Sequence, residues 1–140
     1  MSEEKKYTVL TVDDEIRITD IVMKLLKSQY RVLSANCAEK ALEILKADTV
    51  NLILLDVKMP GMTGFEFCEF VKKDEILRTI PVIFVSAYHS SSEIKKGYEV
   101  GGNDYLGKPF IKEELFAKIK VHLKFGELAQ IESIASVSDL

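Results

Sequence analysis

The chain has 140 residues, 47% hydrophobic and 29% charged, a balance typical of one ordinary globular domain and not of a disordered or fibrous chain. Its formal net charge of -3 at pH 7 argues against direct nucleic-acid binding, which needs a clustered basic face. The two cysteines, Cys37 and Cys68, form no CxxC pair, so we expect reduced thiols rather than a disulfide framework or a zinc site.

The N-terminal segment MSEEKK is charged and lacks the apolar stretch and the cleavage site of a signal peptide. No apolar run approaches the roughly 20 residues that span a bilayer. We therefore expect a cytoplasmic protein that does not insert into a membrane.

Five short apolar, β-branched runs alternate with longer segments of helical period, which is the pattern of consecutive βα units in a parallel sheet. The predicted strands are Tyr7–Val12, Tyr30–Ala35, Asn51–Asp56, Pro81–Ser86 and Asp104–Leu106. The third run is apolar on both alternations, as a central strand covered on both faces should be. The sequence therefore predicts an α/β fold with a doubly wound, five-stranded parallel sheet.

The segments between the strands carry apolar residues along one helical face, and each such face needs a sheet to cover. The first and last of these stripes contain Ile18, Ile21, Val22, Leu25 and Leu26, and Ile111, Leu115, Ile119 and Leu123. Helix starts are predicted where an N-cap residue precedes an acidic residue by three positions. These pairs are Asn36 with Glu39, Thr63 with Glu66, and Ser90 with Glu93.

The end of the chain leaves several interpretations open. We assign residues 1–125 to one domain and residues 126–140 to a tail, which still carries Leu128, Ile131, Ile134 and Val137 at roughly helical spacing. The tail is a prolongation of the last helix, a frayed terminus, or the start of a linker to a missing domain. It is also a candidate contact in a homodimer.

Polar side chains stand at the carboxyl ends of the predicted strands, where the functional groups of an open parallel sheet lie. Asp13 and Asp14 follow the first strand, Asp56 ends the third, Ser86 ends the fourth, and Lys108 follows the fifth. Three carboxylates in one pocket repel, because two unit charges about 4 Å apart cost on the order of 4 kcal/mol at an effective dielectric of about 20. Mg2+ relieves this repulsion, since it takes one or two carboxylates, several waters and phosphate oxygens. The set therefore favours phosphoryl transfer to Asp56.

Four segments, in order, resemble the receiver domains of two-component response regulators, the family of the chemotaxis protein CheY. The segments are VDDE (Val12–Glu15), LLDVKMPGMTG (Leu54–Gly64), PVIFVSA (Pro81–Ala87) and DYLGKPF (Asp104–Phe110). The resemblance covers about Tyr7 to Phe125 and implies a flavodoxin-like (βα)5 fold with strand order 2-1-3-4-5.

The resemblance also implies roles for individual residues. Asp56 is expected to be the phosphorylation site. Mg2+, with Mn2+ as a substitute, is expected to bind Asp14, Asp56 and the backbone carbonyl of Lys58 directly, while Asp13 acts mainly through water. No other cofactor is implied.

The same resemblance implies a conformational switch. Ser86 and Lys108 are expected to contact the phosphoryl group, and Tyr105 to turn inward when Ser86 moves toward a phosphoryl oxygen. The altered surface is then the fourth helix, fifth strand and fifth helix. The Lys108-Pro109 bond is expected to be cis, which aims the lysine inward.

The expected partners follow from this assignment. A histidine kinase or a histidine phosphotransfer protein supplies the phosphoryl group, and a downstream protein or a missing output domain receives the signal. Apart from transfer to, and hydrolysis from, its own Asp56, we expect no enzymatic activity.

Three other functions are compatible with an α/β sheet of this kind. An aspartate-nucleophile phosphatase usually has a second Asp two positions after the nucleophile, and that position here is Lys58. A flavodoxin-like electron carrier needs a phosphate loop after the first strand, where the acidic run from Asp13 to Glu15 would repel a flavin phosphate. A degenerate receiver that only binds proteins is not favoured, because all five polar residues are present.

Overall fold

The computed structural model describes residues 5–138, with side chains as far as Leu128. Five strands form one sheet: β1 Thr8–Val12, β2 Arg31–Ala35, β3 Leu52–Leu55, β4 Val82–Ser86 and β5 Asp104–Gly107. All neighbouring pairs are parallel, in the order β2-β1-β3-β4-β5. The predicted fold class and strand order are therefore confirmed, and the first four strands each begin one residue later than predicted.

Five helices connect and follow the strands: α1 Ile16–Leu26, α2 Ala38–Ala47, α3 Gly64–Lys73, α4 Ser91–Glu99 and α5 Lys112–Ser138. A short 3-10 helix, Leu77–Thr79, precedes β4. Helix α5 continues past Leu123, the last buried core residue among its side chains described up to Leu128, as far as Ser138. Among residues 5–138, no helix combines the length and apolarity needed to cross a membrane.

Two of the three predicted helix caps are present. Thr63 is the N-cap of α3 and Ser90 is the N-cap of α4, each with a complete capping box formed with the glutamate three residues later. The prediction for Asn36 is wrong, because α2 has Cys37 at its N-cap, in an extended conformation and without a side-chain cap. Glu39 is consequently the second helical residue rather than the third.

The sheet is covered on both faces, as a doubly wound fold requires. On one face, a cluster of buried hydrophobic residues packs the sheet against α2, α3 and part of α4, and includes Ala41, Phe67 and Phe84. The other joins it to α1 and α5, and includes Leu26 and Ile119. This arrangement leaves the carboxyl ends of the strands as an open edge.

Two apolar residues of the predicted stripes do not contribute to these layers. Ile21 is 51% exposed and Ile111 is 64% exposed. Ile21 lies at the solvent side of its stripe, and Ile111 precedes the first residue of α5. The apolar spacing therefore predicted the buried face of each helix correctly, but it included residues at the edge of that face that are exposed to solvent.

Candidate functional site

Asp56 lies immediately after β3, in the first position of the loop that leads to α3. Its backbone N–H donates to the carbonyl of Val12 at 2.9 Å, so it is the last residue held by the central ladder. Its Oδ1 accepts from the N–H of Val57 at 2.9 Å, and the residue is 5% exposed. The carboxylate is thus a buried group whose orientation is fixed by the backbone.

Helix α3 begins very close to this residue, and Gly64 makes the approach possible. A Cβ atom at Gly64 would lie 2.1 Å from the carbonyl oxygen of Asp56, which is far inside any permitted contact. The Gly64 N–H donates to the carbonyl of Val57 at 2.7 Å. Helix α3 and its capping residue Thr63 therefore close one side of the site.

Two further acids from the end of β1 approach Asp56. One carboxylate oxygen from each of Asp13, Glu15 and Asp56 lies within 4.8 Å of the others. The buried Asp13 also accepts the N–H of Glu15 at 2.9 Å, which orders the turn. Asp14 is exposed and lies outside this group, although its charge still acts on Asp56.

Lys108 places a cation among these acids. Its Nζ lies 2.7 Å from Asp13 Oδ2, 3.8 Å from Asp56 Oδ1 and 3.9 Å from Glu15 Oε1. The side chain is 8% exposed, and the Lys108-Pro109 peptide bond is cis. The Lys108 N–H donates to the carbonyl of Ser86 at 2.9 Å, so the lysine continues the pairing of β4 with β5.

The electrostatic state of Asp56 follows from this environment. Burial and the charge of Asp13 raise the pKa of Asp56 to about 6, against the opposing effects of Lys108 and the Val57 N–H. Without another cation, the three acids hold more negative charge than Lys108 balances. The site therefore favours a further positive ion.

The donor set matches a hard divalent cation. Carboxylate oxygens are ligands that Mg2+ prefers, usually one or two of them together with several waters, and the Glu15 side chain is 59% exposed to solvent. Asp13, Glu15 and Asp56 together fit Mg2+. Glu15 was missed as a candidate ligand, although its place as a third acid directly after Asp13 and Asp14 was a usable signal.

Ser86 and two tyrosines form the side of the site next to β5. Ser86 is fully buried, and its Oγ accepts from the N–H of Tyr88 at 3.0 Å. The ring of Tyr105 is buried with its centroid 5.5 Å from that of Phe84, and its hydroxyl donates to the carbonyl of Tyr88. Tyr105 thus lies inward. The exposed ammonium of Lys58 lies 3.1 Å from the Tyr88 hydroxyl.

The structure brings Asp13, Asp56 and Lys108 into one cluster, with Ser86 nearby at the end of the adjacent strand. These features define a CheY-like α/β protein with an acidic site at the carboxyl edge of its sheet. Residues 9–120 match the family model for the response regulator receiver domain. The chain belongs to this family, in which a phosphoacceptor role is general.

Proteins of this family are similar to the chain in both sequence and structure. The transcriptional regulatory protein YvrH of Bacillus subtilis is 41% identical over 119 residues, which cover 84% of this chain and 49% of that protein. The CheY-like receiver domain protein from Methanospirillum hungatei has a TM-score of 0.81 and 30% identity, over 88% of this chain and 98% of that one. The BeF3-activated DrrB receiver domain has a TM-score of 0.76 and 29% identity, covering 84% and 97%. The chain spans about half the length of the first curated relatives it matches.

Proposed function

We propose that this receiver accepts a phosphoryl group on Asp56 from a histidine kinase or a histidine phosphotransfer protein. The observation that carries the proposal is the cluster formed by Asp13, Glu15, Asp56 and Lys108, in which a buried carboxylate of fixed orientation lies beside an ammonium. An Asp56 oxygen attacks the phosphorus of phosphohistidine. The new P–O bond forms as the P–N bond breaks, and the electron pair stays on the imidazole nitrogen.

The residues around Asp56 have separate tasks in this step. Bound Mg2+ supplies positive charge to the phosphoryl oxygens, and Mn2+ serves as a substitute. Asp13, Asp14 and the backbone carbonyl of Lys58 are the proposed ligands beside Asp56, with Asp13 acting mainly through water. The geometry adds Glu15 to this set, because its carboxylate lies in the cluster.

Lys108 and Ser86 recognise the phosphoryl group once it is attached. Lys108 Nζ lies 3.8 Å from Asp56 Oδ1, close enough to turn toward a phosphoryl oxygen. The Ser86 hydroxyl accepts from the Tyr88 N–H, which leaves its own proton free to donate. These two donors would give the modified state hydrogen bonds that the free Asp56 carboxylate does not form in this structure.

The signal is carried by Tyr105 and the surface made of α4, β5 and α5. We propose that phosphorylation shifts a population between two states, of which the one with Tyr105 inward is favoured by the modified Asp56. Hydrolysis from Asp56 returns the receiver to its first state. The chain acts on its own aspartate and not on a succession of external substrates.

The wider role is proposed from the family and from the length of α5. Residues 1–125 form the proposed receiver unit, and the continuation of α5 is the proposed connection to an output domain or a partner. The resemblance to a transcriptional regulatory protein suggests an output that acts on transcription, with nucleic acid contacted by another domain. The proposed location is the cytoplasm, where cysteines such as Cys37 and Cys68 remain reduced.

Labelling with a small phosphoryl donor tests the proposal. Wild-type protein incubated with radiolabelled acetyl phosphate and Mg2+ is expected to approach one phosphoryl group per chain, and EDTA is expected to abolish the labelling. Asp56→Asn removes the acceptor and should abolish it too. Asp48→Asn, a partly exposed carboxylate paired with Arg31, is the matched control and should label normally. Stoichiometric, persistent labelling of Asp56→Asn would show that another residue is the acceptor.

A further inference from the structure

The carboxylate of Asp104, the first residue of β5, is held by side chains from both neighbouring helices. Its Oδ1 accepts from the Tyr98 hydroxyl of α4 at 3.3 Å and from Lys118 Nζ of α5 at 2.9 Å. Its Oδ2 lies 2.9 Å from His122 Nε2 of α5. We call these four residues the Asp104 cluster. One carboxylate thus connects α4, β5 and α5.

The cluster is shielded enough for these contacts to matter. The side chains of Asp104, Lys118 and His122 are 18%, 26% and 15% exposed. Burial alone would raise the pKa of Asp104, but hydrogen bonds from Lys118 and His122 outweigh it, and the net pKa is lowered. Charge-assisted hydrogen bonds in such a site are stronger than those of an exposed ion pair.

The cluster is also connected to the aromatic residue of the switch. The N–H of Tyr105 donates to Asp104 Oδ1 at 2.8 Å, so the backbone that carries the ring is fixed by the same carboxylate. On α4, Gly97 precedes Tyr98 and faces the Tyr105 ring. A Cβ atom at Gly97 would lie 2.9 Å from Cδ2 of Tyr105. The contact between Tyr98 and Asp104 therefore holds α4 where Gly97 meets the inward ring.

We propose that Asp104 is a positioning residue of the switch: by tying α4 and α5 to β5, it favours the arrangement in which Tyr105 lies inward. This inference rests on the proposed function, because it concerns the state that a modified Asp56 selects. A group that stabilises the same state as a ligand must also increase the apparent affinity for that ligand. Loosening the Asp104 cluster therefore weakens the response of the distant acidic site.

The test uses beryllofluoride, a noncovalent analogue of the phosphoryl group, with Mg2+ and the full chain. Incorporated 3-fluorotyrosine reports on the five tyrosines by 19F NMR, and Tyr105→Phe assigns the resonance of Tyr105. Asp104→Asn retains an oxygen acceptor but loses the charge. We expect its apparent beryllofluoride affinity to fall by about fivefold, and its Tyr105 resonance to move toward the position of an exposed ring.

Two variants that keep every charge distinguish an effect on the switch from a loss of stability. Tyr98→Phe removes only the hydroxyl that tethers α4, and it should shift both readouts in the same direction. Gly97→Ala leaves every charge in place and improves helix propensity, yet its methyl group displaces the Tyr105 ring. It should also weaken binding. If Asp104 had a purely structural role, Asp104→Asn would lower the melting temperature without changing the beryllofluoride affinity or the fluorotyrosine spectrum.

The outcomes separate this inference from the proposed function. If wild-type protein binds beryllofluoride, and Asp104→Asn and Tyr98→Phe bind it with wild-type affinity and show an unchanged Tyr105 resonance, the positioning role is wrong while the phosphoacceptor role stands. If wild-type protein itself shows no Mg2+-dependent binding, both are overturned. Asp48→Asn is the control and should match wild type in both readouts.

Discussion

The Nζ atom of Lys108 lies 2.7 Å from Oδ2 of Asp13, and both side chains are almost entirely buried. The two residues are 95 positions apart in the chain and meet only because β1 and β5 end at the same edge of the sheet. The pair partly balances the charge of the acidic cluster before any metal binds. It also competes with a metal, since both cations act on the same carboxylates.

Lys108→Met is expected to strengthen Mg2+ binding while it weakens the metal-free fold. Two charges about 4 Å apart interact by on the order of 1 to 4 kcal/mol between bulk water and an effective dielectric of about 20, so the loss of this ammonium should raise the affinity by about tenfold. Breaking a buried pair should cost about 3 kcal/mol in EDTA. Calorimetric titration with Mg2+ and urea denaturation measure the two effects. Lys73→Met, at an exposed ion pair of α3, should change neither.

Asp56→Asn is expected to stabilise the metal-free protein at neutral pH. The folded pKa of Asp56 is raised to about 6, so this residue's contribution is most favourable below about pH 4 and is lost as the pH rises to about 6. The amide of asparagine does not ionise and so does not lose this contribution. We expect the free energy of unfolding to rise by about 2 kcal/mol at pH 7.5, and by less at pH 5. Urea denaturation in EDTA at both pH values measures it. A gain that is the same at both pH values would contradict the assigned cause.

Gly64→Ala is expected to disturb the site from the side of α3. Its methyl group would meet the carbonyl oxygen of Asp56, so the start of α3 must move, at a cost of about 1 to 3 kcal/mol. Gly126→Ala is the matched control, because nothing lies within 4 Å of a Cβ atom there and alanine favours the helix. Chemical denaturation should show loss for the first variant and no loss for the second. Equal stability of the two would mean that the close approach is not real.

The Asp104 cluster predicts a separate dependence on pH. The net pKa of Asp104 is lowered, so its contribution to stability is present above the ordinary aspartate pKa of about 4 and is lost as the pH falls through the folded value. Denaturation of wild type and Asp104→Asn between pH 7 and pH 3 should give a stability difference that shrinks in acid. A difference that is constant over this range would contradict the ionised carboxylate.

Much of the fold was predictable from local patterns. The five β-branched runs predicted the strands to within one residue at every boundary. Thr63 and Ser90 predicted two helix starts, because capping boxes are local and involve few residues. The predicted cap at Asn36 was wrong, because a single pair of residues at capping-box spacing is a weak signal. A cap acts only where the helix begins, and the spacing to Glu39 does not fix that position.

The site was predictable in its composition but not in its geometry. Asp13, Asp56 and Lys108 were expected to meet because parallel strands end at one edge, and they do meet. The orientations of the carboxylates that follow β1 depend on the geometry of that turn, which the sequence does not specify. The closeness of Glu15 to Asp56 and the exposure of Asp14 arise from that turn, whereas the convergence of two helices on Asp104 arises from the packing of α4 and α5 beside β5.

Trapping the acyl phosphate tests the central claim most directly. Borohydride reduces an aspartyl phosphate to homoserine, and peptide mass spectrometry then locates the modified position. After incubation with acetyl phosphate and Mg2+, we expect homoserine at residue 56, with none in a sample that also contains EDTA. Homoserine at Asp13 or Asp14 instead, or a phosphoryl group that survives borohydride on another side chain, would contradict the account.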